Sequence, residues 1–516
     1  MAAPTPITQP SKVDQGGSGL RELVAAPPAG LDKALPDQSP VTAGAELWQL
    51  VTADGTRRFD LPASAAALRQ LGSTVRAVPA GSAIFLTCAG LGSRGRLRRF
   101  ARNEGVELMR EFVAIPSVDP PTCYVEDSHS ALRYFITQLL ALPRGGAVMS
   151  AALAAITRIA RCYFPASLVG RVAPVRVALG RKGQGAAAAI GDRGDAWSLL
   201  DVPGMETVVL ALSKDPNAKR TLLLIPHRSP RPTLAIKLPT TRVAAASIAA
   251  EERVLADLHA RLLHASILAS IPRLEDLREV RGRPSLVTTA LPGSPMTTRY
   301  HAWRHMATPA AVRADLLAVE SWLGRFQSAT AGPRASVDMD GGGTQILRRR
   351  FADDSGRDEV LARLCAVHAR LATTSTPRTA VHGDFWFGNI LLVGKHVSGV
   401  VDWESGSVSG EPLRDLVRFA LTYGLYLDRH SRAGHRVAGH RGLWAGEWGA
   451  GIVWSVDGEG WFPDLVREFV RGGMARLGAD PECWREAMLA GLADVAASAD
   501  HIDFARRHWQ LFARLT

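Results

Sequence analysis

Residues 379 to 404, TAVHGDFWFGNILLVGKHVSGVVDWE, leave the chain few ways to fold. Apolar runs alternate there with polar residues that a buried strand has no use for, namely His382, Asp384, Asn389 and Asp402. The runs ILLV and SGVVDW flank the turn GKH, which predicts a β-hairpin. A hairpin of that length returns the chain to its start and sets Asn389 beside Asp402. Two oxygen-bearing side chains at that point suit Mg²⁺, which prefers carboxylate, carbonyl and phosphate oxygens. Asp384, on the loop that enters the hairpin, is placed to accept a hydroxyl proton or to orient that hydroxyl for attack.

The chain around this segment is too long for one core. Its 516 residues imply about two to four domains. Residues 1–42, rich in Pro, Gly, Ser and Ala, read as disordered. Residues 43–145 alternate strand-like and helix-like stretches (ELWQLVTA, PASAAALRQLG, SAIFLTC, SRGRLRRFARNEG, VELMREFVAI) and read as a small α/β domain. Residues 146–195 read as a helical, then glycine-rich connection. From 196 to 295, TVVLALS, RTLLLIPH and TLAIKLP read as strands and AAASIAAEERVLADLHARL as a long helix; 296–516 read as mostly helical.

The HGDFWFGNILL and GVVDWE stretches resemble the two signature segments of the aminoglycoside phosphotransferase/choline kinase family, whose loop reads H-G-D-x-x-x-x-N. The resemblance extends upstream in order. Lys237 in TLAIKLP looks like the strand lysine that contacts nucleotide phosphates. Glu251, opening an E-x-x-x-L-x-x-L pattern with Leu255 and Leu258, looks like the helix glutamate that pairs with it. SLVTTALPG looks like the strand entering the interlobe hinge, where backbone groups from Thr289 to Leu291 meet adenine. LLAVESWLGRFQ places Leu316, Val319, Leu323 and Phe326 on one helical face, and GEPLRDLVRFAL looks like the helix that follows the metal segment.

The resemblance covers about residues 196–516 and implies an α+β chain, with a two-lobed protein-kinase-like phosphotransferase domain behind the small α/β domain. It implies an ATP- and Mg²⁺-dependent kinase acting on a small-molecule hydroxyl of a sugar, aminoglycoside or amino-alcohol. Catalysis falls to Asp384 with His382, whose part is mainly to hold the loop. Nucleotide contacts fall to Lys237, Glu251, Thr289 and Leu291, and the metal to Asn389 and Asp402. One departure is plain: the turn expected to cover the phosphates, SKDPNAK, contains Pro216 and no glycine. A catalytically silent kinase-like binding module is therefore the alternative.

The remaining features are less specific. The net charge of +12 comes mostly from scattered Arg without a basic stripe, so no nucleic-acid partner is expected. The longest apolar run, GGAVMSAALAAI, is short of the about 20 residues a membrane span needs, so no membrane partner is expected either. Five widely spaced cysteines and the absence of a signal-like N-terminus fit a reducing, cytoplasmic setting. Gly90, Gly92 and Gly95 form G-x-G-x-x-G between a strand and a helix, and the segment from PAGSAIFLTCAG to REFVAIPS resembles the closing strands of class I methyltransferase-like folds. A bifunctional protein with a cofactor-binding N-terminal domain is thus a second alternative. His430, His435 and His440 share no helix face and read as a solvated loop.

Overall fold

The computed structural model describes residues 57–115, 123–139, 173–183, 202–211, 216–261, 264–280 and 283–516. The strand expected at 46–53, the segment 1–42 and the Ala-rich stretch after 146 lie outside the described residues. The fold is α+β, a sheet-bearing part followed by a helical part that begins at Met296.

Ten strands make one sheet in the order β1-β2-β5-β3-β4-β6-β7-β8-β10-β9. They are β1 (Arg57–Leu61), β2 (Ala83–Ala89), β3 (Val106–Ile115), β4 (Cys123–Glu126), β5 (Val175–Lys182), β6 (Met205–Leu210), β7 (Lys219–Pro226), β8 (Leu234–Pro239), β9 (Leu274–Val280) and β10 (Arg283–Thr289). β1 and β2 are parallel and joined by α1 (Ala65–Arg76), whose first turn is capped by the Ser64 hydroxyl accepting from the Ala67 amide. α2 (Ser93–Asn103) connects β2 to β3, and β5 lies antiparallel between those two strands. The stretch read as a connection therefore supplies an inner strand.

The strands before residue 127 and those after 204 join directly, by β4 pairing antiparallel with β6. Buried carboxylates stitch the join. Glu126 accepts from Arg110 Nη1 and from the Thr207 amide, both at 2.7 Å, and Glu206 accepts from the Ala131 amide at 2.9 Å. Burial raises the Glu126 pKa, against the pull of Arg110. Further along, the Thr298 hydroxyl donates to the Gln138 carbonyl at 3.2 Å, so the N-terminal part also touches the segment behind the expected hinge.

β6, β7 and β8 form a meander, and β10 and β9 continue it. One face of these strands buries Leu222, Leu224, Ile236 and Leu238. Against the other packs α3 (Arg242–Ala260), capped by the Thr241 hydroxyl and burying Ile248, Leu255 and Leu258. In the helical part, α4 (Pro309–Ala329) buries the expected stripe of Leu316, Val319, Leu323 and Phe326. Each such side chain contributes about 1.5–3 kcal/mol when fully buried. α5 (Leu413–Leu425) is buried at every residue except Arg414, the pattern of a central helix, so its polar Asp415 and Arg418 must find partners inside the protein. Among the described residues no helix is long and apolar enough to cross a membrane.

Candidate active site

Side chains alternate along β8, so with Ile236 and Leu238 in the core Lys237 points the other way, toward α3. Its Nζ lies 2.7 and 2.6 Å from the two carboxylate oxygens of Glu251 and 2.9 Å from Oδ1 of Asp402. Glu251 also accepts from the Trp403 amide at 3.2 Å. Burial alone disfavours the lysine's charge; Asp402 and Glu251 outweigh it and hold the Lys237 pKa above the ordinary value. The structure thus brings Glu251 against Lys237.

The hairpin forms as expected, with Ile390 opposite Val400 and the Val401 amide donating to the Asn389 carbonyl at 2.9 Å. That bond returns the chain so that Asp402 follows immediately beside Asn389. Asp402 adopts a left-handed φ of 74°, which aspartate tolerates better than most residues and which turns its carboxylate toward Lys237.

The loop before the hairpin is held from below by α5. The Asp415 carboxylate accepts from the backbone amides of His382 and Gly383 at 2.6 and 2.9 Å. Burial pushes the Asp415 pKa up, while His382 and those two amides pull it down. Gly383 sits at φ 76°, and a Cβ there would meet the Ser405 carbonyl oxygen at 2.1 Å, so only glycine fits. His382 Nε2 donates to the Val401 carbonyl at 2.9 Å, and its Nδ1 accepts from the Asp384 amide at 3.2 Å. Both ring nitrogens are occupied. His382 ties the loop to the hairpin and has no nitrogen left for a substrate.

Asp384 is buried, and its Oδ1 receives Nη2 and Nε of Arg418 at 2.8 and 3.0 Å. Asn389 Nδ2 donates to the Asp384 carbonyl at 3.0 Å and approaches its Oδ2 at 3.3 Å. Asp384, Asn389 and Asp402 are thus neighbours, as expected. Arg418 escaped the sequence reading; it lies one helical turn beyond Asp415 on α5, and only the docking of that helix under the loop brings it to Asp384.

A second charged pair was also missed. Glu404, two residues past Asp402, pairs with Lys219 at the start of β7 and accepts from Asn217 Nδ2 at 3.1 Å. One oxygen from each of Glu251, Asp402 and Glu404 lies within 4.8 Å of the others. This hard-oxygen set fits the chemistry of Mg²⁺.

The expected hinge contacts divide. The Thr289 amide is taken by the Arg273 carbonyl at 2.9 Å and the Ala290 amide by Thr233 at 2.8 Å, so Thr289 has no amide to offer a base. Leu291 lies over the hairpin, its side chain packed where a Cβ on Gly399 would fall. Trp386 and Phe387 are packing residues, Phe387 stacking on Tyr300 at 4.3 Å. Of the histidine segment, His430 and His435 are exposed, His430 lying 3.0 Å from His301, and His440 is buried with its Nε2 donating to the Met306 carbonyl. In the N-terminal part, Gly90 and Gly92 take positive φ in the β2–α2 turn, and Arg96 donates across it to the Ala89 and Pro62 carbonyls at 3.1 and 2.7 Å.

Residues 220–449 match the model of the phosphotransferase enzyme family (APH). That match includes Lys237, Glu251, Asp384, Asn389 and Asp402 and spans the greater part of the 196–516 stretch in which the resemblance was read. Solved structures similar to this chain include a thermostable mutant of aminoglycoside phosphotransferase APH(4)-Ia, 13% identical over 60% of this chain and 93% of that one, TM-score 0.38. ADP-bound aminoglycoside phosphotransferase APH(2'')-Ib is 12% identical over 62% and 95%, TM-score 0.37. APH(3'')-Id from Streptomyces rimosus is 20% identical over 52% and 87%, TM-score 0.32. Comparison with curated proteins gave no match.

Proposed function

With the phosphotransferase family match over residues 220–449 as premise, we propose that this protein transfers the γ-phosphoryl group of ATP to a hydroxyl of a small molecule. The observation that carries the reading is Lys237 held between Glu251 and Asp402, with Asp384 fixed close by in the same hairpin and loop.

In this proposal each residue has a role. Lys237 meets nucleotide phosphates, and Glu251 keeps its ammonium in place. Asp402, Asn389 and the neighbouring carboxylates hold Mg²⁺, which when bound neutralises charge on the phosphate oxygens. Asp384 takes up the acceptor hydroxyl and aims its oxygen; the Arg418 pair holds the carboxylate pointing one way. His382 and Asp415 fix the loop that carries it. Positioning and charge neutralisation supply most of the rate in phosphoryl transfer, and every role here is one of those two.

The acceptor is a sugar, an aminoglycoside or an amino-alcohol. An acceptor screen read out by ADP release tests the reading. Acceptor-dependent ADP release that vanishes in Asp384→Asn supports it; ATP binding without turnover on any hydroxyl acceptor returns the protein to a binding module.

A further inference from the structure

Phosphates in a kinase-like cleft lie under the turn between the first two strands of the meander, here β6 and β7. A glycine-rich turn works there by letting backbone amides come close. The sequence at this turn has no glycine, and so some other group must supply positive charge. The register of the meander identifies one. Thr221 of β7 stands opposite Lys237 of β8, and Lys219 is two residues from Thr221, so Lys219 and Lys237 share one face of the sheet. Diagonal neighbours of that kind have α-carbons about 7–8 Å apart, well within the reach of two lysines acting on one polyphosphate.

Their partners repeat the spacing. Lys237 rests on Asp402 and Lys219 on Glu404, two parallel ion pairs with Trp403 between the acids. The Lys219–Glu404 pair is almost wholly buried, at 1% and 2% side-chain exposure. Stripping two ions of water costs several kcal/mol per ion, and their mutual attraction seldom does more than recover it. As a mere tether between a hairpin and a loop, an apolar contact would serve at least as well. A lysine kept dry against a carboxylate, on the same face of the sheet as Lys237, is instead equipped to receive an anion.

We infer that Lys219 is a second phosphate-contacting lysine, taking the place of the backbone amides of a glycine-rich turn and resting on Glu404 when the cleft holds no nucleoside triphosphate. The assignment rests on the phosphotransferase reading. When the triphosphate enters, Lys219 exchanges the Glu404 carboxylate for phosphate oxygens, while Asn217 keeps its hydrogen bond to Glu404.

The test is calorimetric titration of the full chain with ATP and, separately, with adenosine. Lys219→Met should lose about ten- to hundredfold in ATP affinity, the value of one charge-assisted hydrogen bond, and keep adenosine affinity. Lys219→Arg should retain most of the ATP affinity. Wild-type ATP affinity in Lys219→Met, or an equal loss for ATP and adenosine, overturns the assignment. Should Lys219→Met melt early because Glu404 is left unpaired, the double variant Lys219→Met/Glu404→Gln removes the orphan charge; wild-type ATP affinity in that folded double variant also overturns it. A wild-type chain that binds no ATP sinks the phosphotransferase reading itself, a result distinct from ATP binding that ignores Lys219.

Discussion

Arg418 of α5 reaches Asp384 from beneath the loop, its Nη2 and Nε both converging on one carboxylate oxygen at 2.8 and 3.0 Å. Neither side chain is more than 5% exposed. The pair makes a buried carboxylate tolerable, and it does so from the face away from Asn389, so the other oxygen stays oriented toward the hairpin.

Removing the arginine should therefore cost more than a surface ion pair would. Arg418→Met leaves Asp384 as an uncompensated buried charge, with an expected destabilisation of about 3–5 kcal/mol. Arg418→Lys keeps the charge but loses the two-pronged geometry, and should fall in between. Urea titration of the three proteins checks this. Equal midpoints for Arg418→Met and wild type would show that the pair contributes nothing to the fold.

Asp384→Asn separates chemistry from stability. The amide oxygen still accepts from Arg418, so the fold should survive, while the carboxylate that aims the acceptor hydroxyl is gone. Turnover is expected to fall by at least about a hundredfold, with ATP affinity within a few-fold of wild type. Steady-state kinetics alongside nucleotide titration decides. A variant that keeps most of its turnover removes this loop from the mechanism.

The pH dependence of stability should trace in part to His508 on α6 (Ile502–Leu515), which is buried with its Nδ1 donating to the Phe504 carbonyl. Burial lowers its pKa to about 3. The folded state thus refuses a proton that the unfolded chain accepts at a pKa of about 6.5. Its contribution is whole above that value and is lost as pH falls from 6.5 toward 3, amounting to about 2 kcal/mol by pH 5. His508→Gln, which retains a donor but does not titrate, should flatten the melting-temperature curve between pH 7 and pH 5. An unchanged slope would assign the acid sensitivity elsewhere.

What the sequence disclosed and what it hid divide along contact distance. The approach of Asn389 and Asp402 was legible from the closure of a short hairpin, whereas Lys237 and Glu251 were singled out by the family resemblance of the stretches that carry them. Arg418 on Asp384 and Lys219 on Glu404 depend on how distant elements dock, and no local period encodes that. β5 was hidden by its own glycine. Gly180 stands at an irregularity in the β3–β5 register, where a Cβ would meet the Glu107 carbonyl at 2.5 Å. A glycine required by close backbone approach at a bulge reads, in sequence, like loop. The join of β4 to β6 escaped for a related reason, since β4 is only four residues long.

The metal expectation can be read from three variants together. Asp402 shares its Oδ1 with Lys237 and lies within 4.8 Å of oxygens from Glu251 and Glu404. Asp402→Ala removes that ligand and leaves Lys237 held by Glu251 alone. Turnover should collapse, and added Mg²⁺ should restore it only partly, because the remaining carboxylates are engaged by Lys237 and Lys219. Asn389→Ala should be milder at saturating Mg²⁺, since water and phosphate oxygens replace one neutral ligand; it should still lower turnover, because Asn389 Nδ2 also secures the Asp384 loop. Lys237→Ala should raise the ATP requirement with little change in the Mg²⁺ midpoint. It also leaves Glu251 buried beside Asp402 without its cation, so a lower melting temperature is expected. Turnover measured against Mg²⁺ at fixed ATP, and against ATP at fixed Mg²⁺, separates the three. If Asp402→Ala follows the wild-type Mg²⁺ curve, Asp402 is not the metal ligand and the phosphotransferase reading loses the residue on which its cleft is centred.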